Sequence, residues 1–197
     1  MKKTNSIGIF DSGIGGLTVG HQIAKLMPNE HIIYFGDTKH LPYGDKSADA
    51  IKSYSKKITE FLIEQQCKMV VIACNTASAL AFKEVLECCK GLAIVLNVID
   101  PVAEHTSKSK AKKIGVIGTK NTIASNAYSA KLGELNKNVT IASLPTPLLV
   151  PMIEEGFYND KISTSIISNY LENKVLENID HLILGCTHYP LIEDEIN

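Results

Sequence analysis

Short, continuously apolar runs recur along the chain and are separated by longer stretches of mixed polarity. In the first half these runs are SIGIF (6–10), HIIYF (31–35), MVVIA (69–73) and LAIVLNVI (92–99). Runs of this length, rich in β-branched residues, are typical of strands buried on both faces, as the strands of a parallel sheet are. We therefore predict four parallel strands in the first half of the chain.

The stretch between the second and third runs, DKSADAIKSYSKKITEFLIEQQ, predicts a long amphipathic helix. Its apolar side chains recur at helical spacing, at Ala48, Ile51, Tyr54, Ile58, Phe61 and Leu62. Ser47 stands just before them and is a suitable N-cap, because its hydroxyl can accept from a free amide of the first turn. A helix between two parallel strands predicts an α/β fold with right-handed crossovers.

The same series restarts in the second half of the chain. KIGVIG (113–118), VTIAS (139–143) and HLILG (181–185) predict strands, with helices near 120–132 and 160–177. KKTNSIGIFDSG near the beginning resembles KAKKIGVIGTKNT near the middle. We therefore expect two similar Rossmann/flavodoxin-like α/β units, each with a parallel sheet and related by a pseudo-twofold axis.

The boundary between the two units is predicted near residues 98–112, at the exposed, lysine-rich EHTSKSKAKK. The expected domains are residues 1–98 and 99–197. Each carries one cysteine after a strand, Cys74 in VVIACNTASA and Cys186 in LILGCTHYPL. Because ligands of open α/β sheets bind beyond the carboxyl ends of strands, we expect both thiols to line one active-site cleft between the units.

Composition and charge narrow the classes of function. The formal net charge is −1, and SKSKAKK (107–113) is the one basic cluster, so no nucleic-acid partner is expected. The N-terminus lacks the apolar centre of a signal peptide, and no apolar run is long enough to span a bilayer. Five cysteines in a chain without a secretion signal indicate free thiols in a reducing cytoplasm.

The cysteine spacing also argues against a metal site. No pair has the two-residue gap of a zinc-binding knuckle, and Cys88 and Cys89 are adjacent. We interpret Cys67, Cys88 and Cys89 as helix packing residues.

The glycine-rich FDSGIGGLTVG (10–20) follows the first strand but does not fit a nucleotide site. Thr18 stands where the dinucleotide fingerprint, counted from Gly13, needs glycine, and no Gly-Lys-Ser/Thr triplet of a phosphate loop occurs. The glycines instead predict a sharp turn with close approach of the backbone to a small ligand. Asp11 is either a helix cap or, as we favour, a residue of the site.

The two cysteine segments predict an unusual chemistry. Cys74 would open a helix, whose dipole favours the thiolate, and the following amides with Asn75 and Thr76 suit a carboxylate ligand. GCTHYP repeats the cysteine and adds His188, a possible acid-base group. Two thiols without metal or disulfide spacing suggest proton transfer on both faces of one carbon, with inversion at a stereocentre.

At these residues the chain closely resembles the glutamate racemases of the cofactor-independent aspartate/glutamate racemase superfamily. The matching segments, spread over residues 7–192, are IGIFDSGIGGLTV, IIYFGDTKHLPYGDKS, VVIACNTASALA, IGVIGTKNTIASNAY, LLVPMIEEG and LILGCTHYPLI. The resemblance implies interconversion of L- and D-glutamate for peptidoglycan, without pyridoxal phosphate, other cofactor or metal. It implies that Cys74 and Cys186 are the catalytic acid-bases.

The resemblance also assigns the remaining site residues. Asp11, Glu154 and His188 match residues that assist the thiols. Substrate contacts are implied for Asp11, Ser12, Tyr43, Gly44, Asn75, Thr76, Thr187 and His188. Simpler interpretations remain open at this stage: Glu154 as an exposed helix charge, Tyr43 as a packing residue, and Asp37 as a cap or a pocket wall.

Two features depart from the family pattern. Members often have a cysteine at or beside Thr146, and they usually continue for several dozen residues beyond CTHYPL. We therefore expect the closing C-terminal segment to be absent, so that the chain is a fragment or a shortened relative.

Other functions remain open beside glutamate racemisation. They are an aspartate or other amino-acid racemase of the superfamily, a non-catalytic binding module and, as a weaker alternative, a redox protein. The resemblance implies a homodimer.

Overall fold

The structure, a computed structural model, describes residues 4–197, and the chain in it separates into two compact units. The boundary lies between Val98 and Ile99. Each unit contains one parallel β-sheet whose strands alternate with helices.

The first unit contains a four-stranded sheet. Its elements in chain order are β1 (Ile7–Asp11), α1 (Leu17–Leu26), β2 (Ile32–Gly36), α2 (Ala48–Glu64), β3 (Met69–Ile72), α3 (Asn75–Cys89) and β4 (Ile94–Asn97). Two 3₁₀ turns, Thr38–His40 and Tyr43–Asp45, connect β2 to α2. The strand order is β2-β1-β3-β4, and every pair is parallel.

The second unit contains a three-stranded sheet. Its elements are α4 (Ile99–Ser107), β5 (Lys113–Gly118), α5 (Lys120–Ala124), α6 (Ala127–Leu135), β6 (Thr140–Pro145), α7 (Leu149–Glu154), α8 (Lys161–Leu171), β7 (His181–Gly185) and α9 (Glu193–Ile196). Short 3₁₀ helices lie at Lys174–Leu176 and Tyr189–Ile192. The order is β6-β5-β7, again with parallel pairs.

The two sheets share one plan. In each, the first strand along the chain is flanked by the second strand on one side and the third on the other. β3 therefore corresponds to β7, and the chain reaches Cys74 and Cys186 just after these corresponding strands. The predicted α/β fold with two parallel sheets is confirmed.

The strands of the first unit are held by burial on both faces. On one face Phe10 and Ile72 belong to a buried cluster formed with residues of α2 and α3. On the other, Ile9 and Val71 pack with Ile23 of α1. Apolar surface removed from water on both sides stabilises the sheet at about 25 cal/mol per Å², which explains why these runs are continuously apolar.

Burial on both faces was also expected for β4, and there the prediction is wrong. Ile94 is 54% exposed and Leu96 is 45% exposed. Among residues 4–197, β4 forms an edge of the sheet and pairs with β3 alone. A run with the composition of a central strand is therefore only partly buried.

Two predicted helix boundaries differ from the structure. The helix predicted near 120–132 is two helices, α5 and α6, because Asn126 between them adopts a left-handed conformation with φ of 56°. The helix predicted over 160–177 ends at Leu171 and is followed by a 3₁₀ turn.

The prediction that EHTSKSKAKK is exposed is wrong at Thr106, and the first residues of this segment are helical. Residues 99–107 form α4, which buries Ile99, Ala103 and Thr106 in the second unit. These three residues are spaced three or four apart, so they lie on one helix face. Cys67 lies between α2 and β3, where it is 3% exposed and packs with buried residues of α2 and α3, as its interpretation as a helix packing residue predicted.

Candidate active site

Cys74 connects β3 to α3 and acts as the helix N-cap. Its Sγ accepts a hydrogen bond from the amide of Ala77 at 3.4 Å, and the residue is 5% exposed. The predicted helix therefore begins directly after the thiol, with Asn75 and Thr76 in its buried first turn. Free amides of a helix N-terminus attract anions, so this turn can receive a carboxylate.

The thiol of Cys74 is nonetheless protonated at neutral pH. Burial, followed by the negative charge of Asp11, raises its pKa to about 12, although hydrogen bonds from Ala77 and Ser12 oppose the shift. The helix terminus does favour the thiolate, as predicted, because the amide of Ala77 lowers the pKa, but this contribution is outweighed. Desolvation of a buried anion outweighs the partial charge of the helix terminus.

Asp11 ends β1 and is fully buried inside the glycine-rich turn. One carboxylate oxygen accepts from the amides of Gly13 and Gly16, at 3.0 and 3.1 Å. A Cβ on Gly16 would lie 2.4 Å from Cβ of Asp11, so glycine is required there to let the backbone wrap the carboxylate. Asp11 thus closes the turn and also acts electrostatically on Cys74.

Tyr34 of β2 holds the glycine-rich turn against the sheet through a hydrogen bond. The sequence pattern did not reveal this role. Its hydroxyl donates to the carbonyl of Gly13 at 2.7 Å. Burial, Asp11 and Cys74 all raise the pKa of Tyr34, so its phenol remains a donor. The signal for this role is weak, because Tyr34 looks like any other aromatic residue of an apolar strand.

Tyr43 lies in the second 3₁₀ turn with its side chain 1% exposed. Its hydroxyl donates to Oδ2 of Asp37 at 2.6 Å. Burial and the Asp37 carboxylate raise the pKa of Tyr43. The side chain is therefore both a packing residue and a buried anchor. Gly44 follows it in the same turn and is partly exposed.

In the second unit, Cys186 follows β7 and contacts His188. The distance from Sγ to Nδ1 is 3.7 Å, and both residues are buried. Nε2 of the same imidazole lies 3.0 Å from Oε1 of Glu154, at the end of α7. His188 therefore connects the thiol to a carboxylate, and Glu154, whose side chain is 28% exposed, is not an unpaired surface charge.

The tautomer of His188 follows from this arrangement. An ionised carboxylate only accepts hydrogen bonds, so Nε2 carries a proton when Glu154 is ionised. In the neutral imidazole Nδ1 is then an acceptor facing Cys186. The histidine can take the thiol proton and become an imidazolium that the carboxylate stabilises.

The backbone around Cys186 is supported by residues that sequence reasoning missed. The hydroxyls of Tyr189 and Thr146 are 2.7 Å apart, and both residues are fully buried. Burial first, and the charge of Cys186 second, raise the pKa values of Tyr128 and Tyr189. Thr187, between the thiol and the imidazole in sequence, is 6% exposed. In the sequence, the signal for a supporting role of Tyr189 was its position directly after His188.

Residues 4–197 contain no cluster of three or more histidine, cysteine or acidic side chains that could hold a metal ion. All five cysteines are free. No helix in the described part of the chain is long and apolar enough to cross a membrane. Each unit thus places a buried thiol just after its corresponding strand, β3 or β7, with an acidic side chain acting on that thiol directly or through His188. Such a pair of sites is suited to moving protons.

Comparison with known proteins agrees with this chemistry. The family model described as Asp/Glu/hydantoin racemase matches residues 18–197. Glutamate racemase 3 of Caldanaerobacter subterraneus subsp. tengcongensis is 43% identical over 191 residues, which cover 96% of this chain and 68% of that protein. The glutamate racemase of Chlorobaculum parvum is 43% identical over 197 residues, covering 100% of this chain and 72% of that protein.

A solved structure gives the same result. The glutamate racemase of Francisella tularensis in complex with D-glutamate superposes with a TM-score of 0.93 at 43% identity, covering 98% of this chain and 72% of that one. The chain therefore belongs to the Asp/Glu/hydantoin racemase family.

Proposed function

We propose that the protein is a glutamate racemase, which interconverts L- and D-glutamate by proton transfer between two cysteines. One observation carries the proposal: Cys74 and Cys186 follow the corresponding strands β3 and β7, each as a buried free thiol. Relatives at about 43% identity that are named glutamate racemase support the substrate. The D-glutamate formed supplies peptidoglycan synthesis.

In the proposed mechanism the two thiols act on opposite faces of the α-carbon. The thiolate of one cysteine removes the α-proton, and the thiol of the other donates its proton to the opposite face. One S–H bond forms as the other breaks, so the enantiomer is released with the protonation states of the cysteines exchanged. The reverse reaction starts from that exchanged state, and no cofactor or metal takes part.

In the proposed mechanism the two cysteines start the reaction in different protonation states. Cys74, whose pKa is raised to about 12, is the resting proton donor. Cys186 can lose its proton to His188, and Glu154 stabilises the resulting imidazolium. Cys186 is therefore the first base, and Asp11 makes the thiolate of Cys74 strongly basic when it forms in turn.

The α-proton of an amino acid is weakly acidic, so the carbanion-like transition state needs donors. We assign this role to buried groups that follow the two cysteines, namely Asn75, Thr76 and Thr187. The first turn of α3 receives one substrate carboxylate. Ser12 and the Tyr43–Gly44 turn complete the proposed substrate contacts.

The proposal extends to location and assembly. Five free cysteines suit a reducing compartment, so we place the protein in the cytoplasm. We propose a homodimer, as family resemblance implies.

The test uses purified protein with L-glutamate in deuterated water. We expect loss of the circular dichroism signal and exchange of the α-proton in NMR spectra. Cys74→Ser and Cys186→Ser should each slow racemisation by roughly a thousandfold or more, because each removes one acid-base group. Cys88→Ser is the matched control, since Cys88 lies outside the proposed site, and it should keep full activity.

Three results would contradict the proposal. Full activity of the Cys74→Ser protein would exclude the two-thiol mechanism. Exchange with L-aspartate but not L-glutamate would assign the alternative substrate. Absence of any α-proton exchange in folded protein would favour a binding module.

A further inference from the structure

One buried carboxylate, that of Asp37, organises the segment between β2 and α2. Tyr43 donates its hydroxyl to Oδ2 of Asp37 at 2.6 Å. Nδ1 of His40 lies 2.7 Å from Oδ1 and 2.9 Å from Oδ2 of the same carboxylate. Both 3₁₀ turns of the segment are thus tied to a single side chain.

His40 is itself held in place from the other side. Its ring stacks on Tyr54 of α2, with centroids 4.0 Å apart and planes inclined by 14°. Its side chain is 32% exposed, whereas that of Asp37 is only 8% exposed. The imidazole therefore stands between solvent and the buried carboxylate, and a rigid helix fixes its orientation.

Asp37 is also connected to the turn that holds Asp11. The main-chain amide of Asp37 donates to the carbonyl of Asp11 at 3.0 Å. Leu41, between the two 3₁₀ turns, packs closely on Gly13, where an added Cβ would lie 2.8 Å from Cδ2 of the leucine. The position of the Tyr43–Gly44 turn is thus set relative to the glycine-rich turn through this segment.

We propose that His40 is a positioning residue for the Tyr43–Gly44 turn. Its Nδ1–H orients the Asp37 carboxylate, which anchors the Tyr43 hydroxyl and so fixes where the Gly44 main chain is presented to substrate. The inference rests on the proposed function, in which this turn contacts glutamate. It concerns His40, which the family resemblance does not assign to the site.

The physical reason lies in the burial of Asp37. A buried carboxylate needs donors, and loss of one donor favours rotation of the group toward water. Without His40, the carboxylate would be free to turn away from Tyr43. The Tyr43 side chain would then lose its acceptor, and the turn its fixed position, while the contacts of Cys74 to Ala77 and of Cys186 to His188 would be kept. Substrate binding should weaken while the chemical step stays unchanged.

Two substitutions separate the hydrogen bond of His40 from its stacking. His40→Phe keeps an aromatic ring on Tyr54 but removes the donor. His40→Asn loses the ring but can place its amide N–H near the position of Nδ1. We expect His40→Phe to raise KM for L-glutamate about tenfold with kcat within about twofold of wild type. His40→Asn should rescue KM to within about twofold.

A spectroscopic readout tests the anchor without reference to activity. The Tyr43 hydroxyl proton, buried in a short hydrogen bond, should give a slowly exchanging downfield NMR resonance, assigned by its absence in Tyr43→Phe. It should persist in wild type and His40→Asn and be shifted or lost in His40→Phe.

The outcomes are distinguishable from failure of the proposed function. Unchanged KM and an unchanged Tyr43 resonance in His40→Phe would overturn the positioning role. An equal rise of KM in both variants would overturn it too, because restoring an N–H donor near the position of Nδ1 would then have no effect on substrate binding. If wild type failed to racemise glutamate, the function and the substrate role would fall together, and the resonance would still decide whether His40 orients the Asp37–Tyr43 anchor.

Discussion

Glu154 and His188 form a hydrogen bond of 3.0 Å between Oε1 and Nε2, and this contact brings the end of α7 to the loop after β7. The other ring nitrogen of His188 faces Cys186. The imidazole of His188 therefore lies between the Glu154 carboxylate and the Cys186 thiol. Through this ring the carboxylate can affect how readily the thiol loses its proton, although the two groups are not in contact.

If Cys186 is a catalytic base, as proposed, replacing Glu154 with glutamine should slow racemisation by making the thiol harder to deprotonate. The neutral amide can still accept from His188, but it no longer stabilises an imidazolium. We expect kcat/KM to fall roughly tenfold to a hundredfold. The value of kcat/KM must fall equally for L-glutamate and D-glutamate, because the equilibrium constant between these enantiomers is one.

Kinetic isotope effects show which of the two proton abstractions the Glu154→Gln substitution slows. With α-deuterated substrates, the kinetic isotope effect on kcat/KM should rise only for the enantiomer whose proton Cys186 removes. Glu155→Gln is the matched control, since this neighbouring carboxylate is exposed, and its rates should match wild type. Equal isotope effects in Glu154→Gln and wild type would argue against the relay.

Replacing Gly16 with alanine should disrupt the turn around Asp11. The new Cβ would lie 2.4 Å from Cβ of Asp11 and 2.8 Å from the hydroxyl of Tyr34, so the turn must move. We expect a loss of about 1–3 kcal/mol in the free energy of unfolding, measured by urea denaturation, together with reduced activity.

Gly133→Ala provides the control for that substitution. Gly133 lies within α6, and an added Cβ there meets nothing within 4 Å. It should gain about 0.5–1 kcal/mol, because alanine loses less entropy than glycine in a helix. Equal stability changes in the two variants would show that the turn around Asp11 tolerates a side chain.

The raised pKa of Cys74 predicts a loss of stability at alkaline pH. Burial and Asp11 raise the pKa of the folded thiol to about 12, against about 8.5 in an unfolded chain. Between these two pH values the Cys74 thiol keeps its proton in the folded state but loses it in the unfolded state. The contribution of the thiol to the free energy of unfolding is therefore complete below about pH 8.5 and declines as pH rises. By pH 10 the decline should reach about 1–2 kcal/mol.

Urea denaturation of wild type and Cys74→Ser as a function of pH checks this expectation. Serine does not titrate in this range, so the variant should show a shallower alkaline decline. Cys88→Ser, which removes a partly exposed thiol, should keep most of the wild-type slope. Parallel curves for wild type and Cys74→Ser would mean that the Cys74 pKa is not raised on folding.

The sequence alone predicted the elements that depend on local pattern. Parallel strands, the N-cap at Ser47, which accepts from the amide of Ala50, and the placement of both cysteines after strands all follow from periodicity and from short-range turn chemistry. The same reasoning failed at β4, because an edge strand has the composition of a central one. It also failed at Asn126, whose left-handed conformation interrupts an otherwise helical pattern.

The tertiary structure alone decided the chemical state and the partners of the site residues. The chain pattern predicted that the helix terminus would favour the Cys74 thiolate, but burial and Asp11 reverse that direction. The partners of His188 and the contacts of Tyr34 and His40 were likewise absent from the pattern. Strand and helix periodicities depend on residues that are close in sequence, so they can be predicted from the sequence alone. Desolvation and contacts between distant residues arise only when the chain has packed.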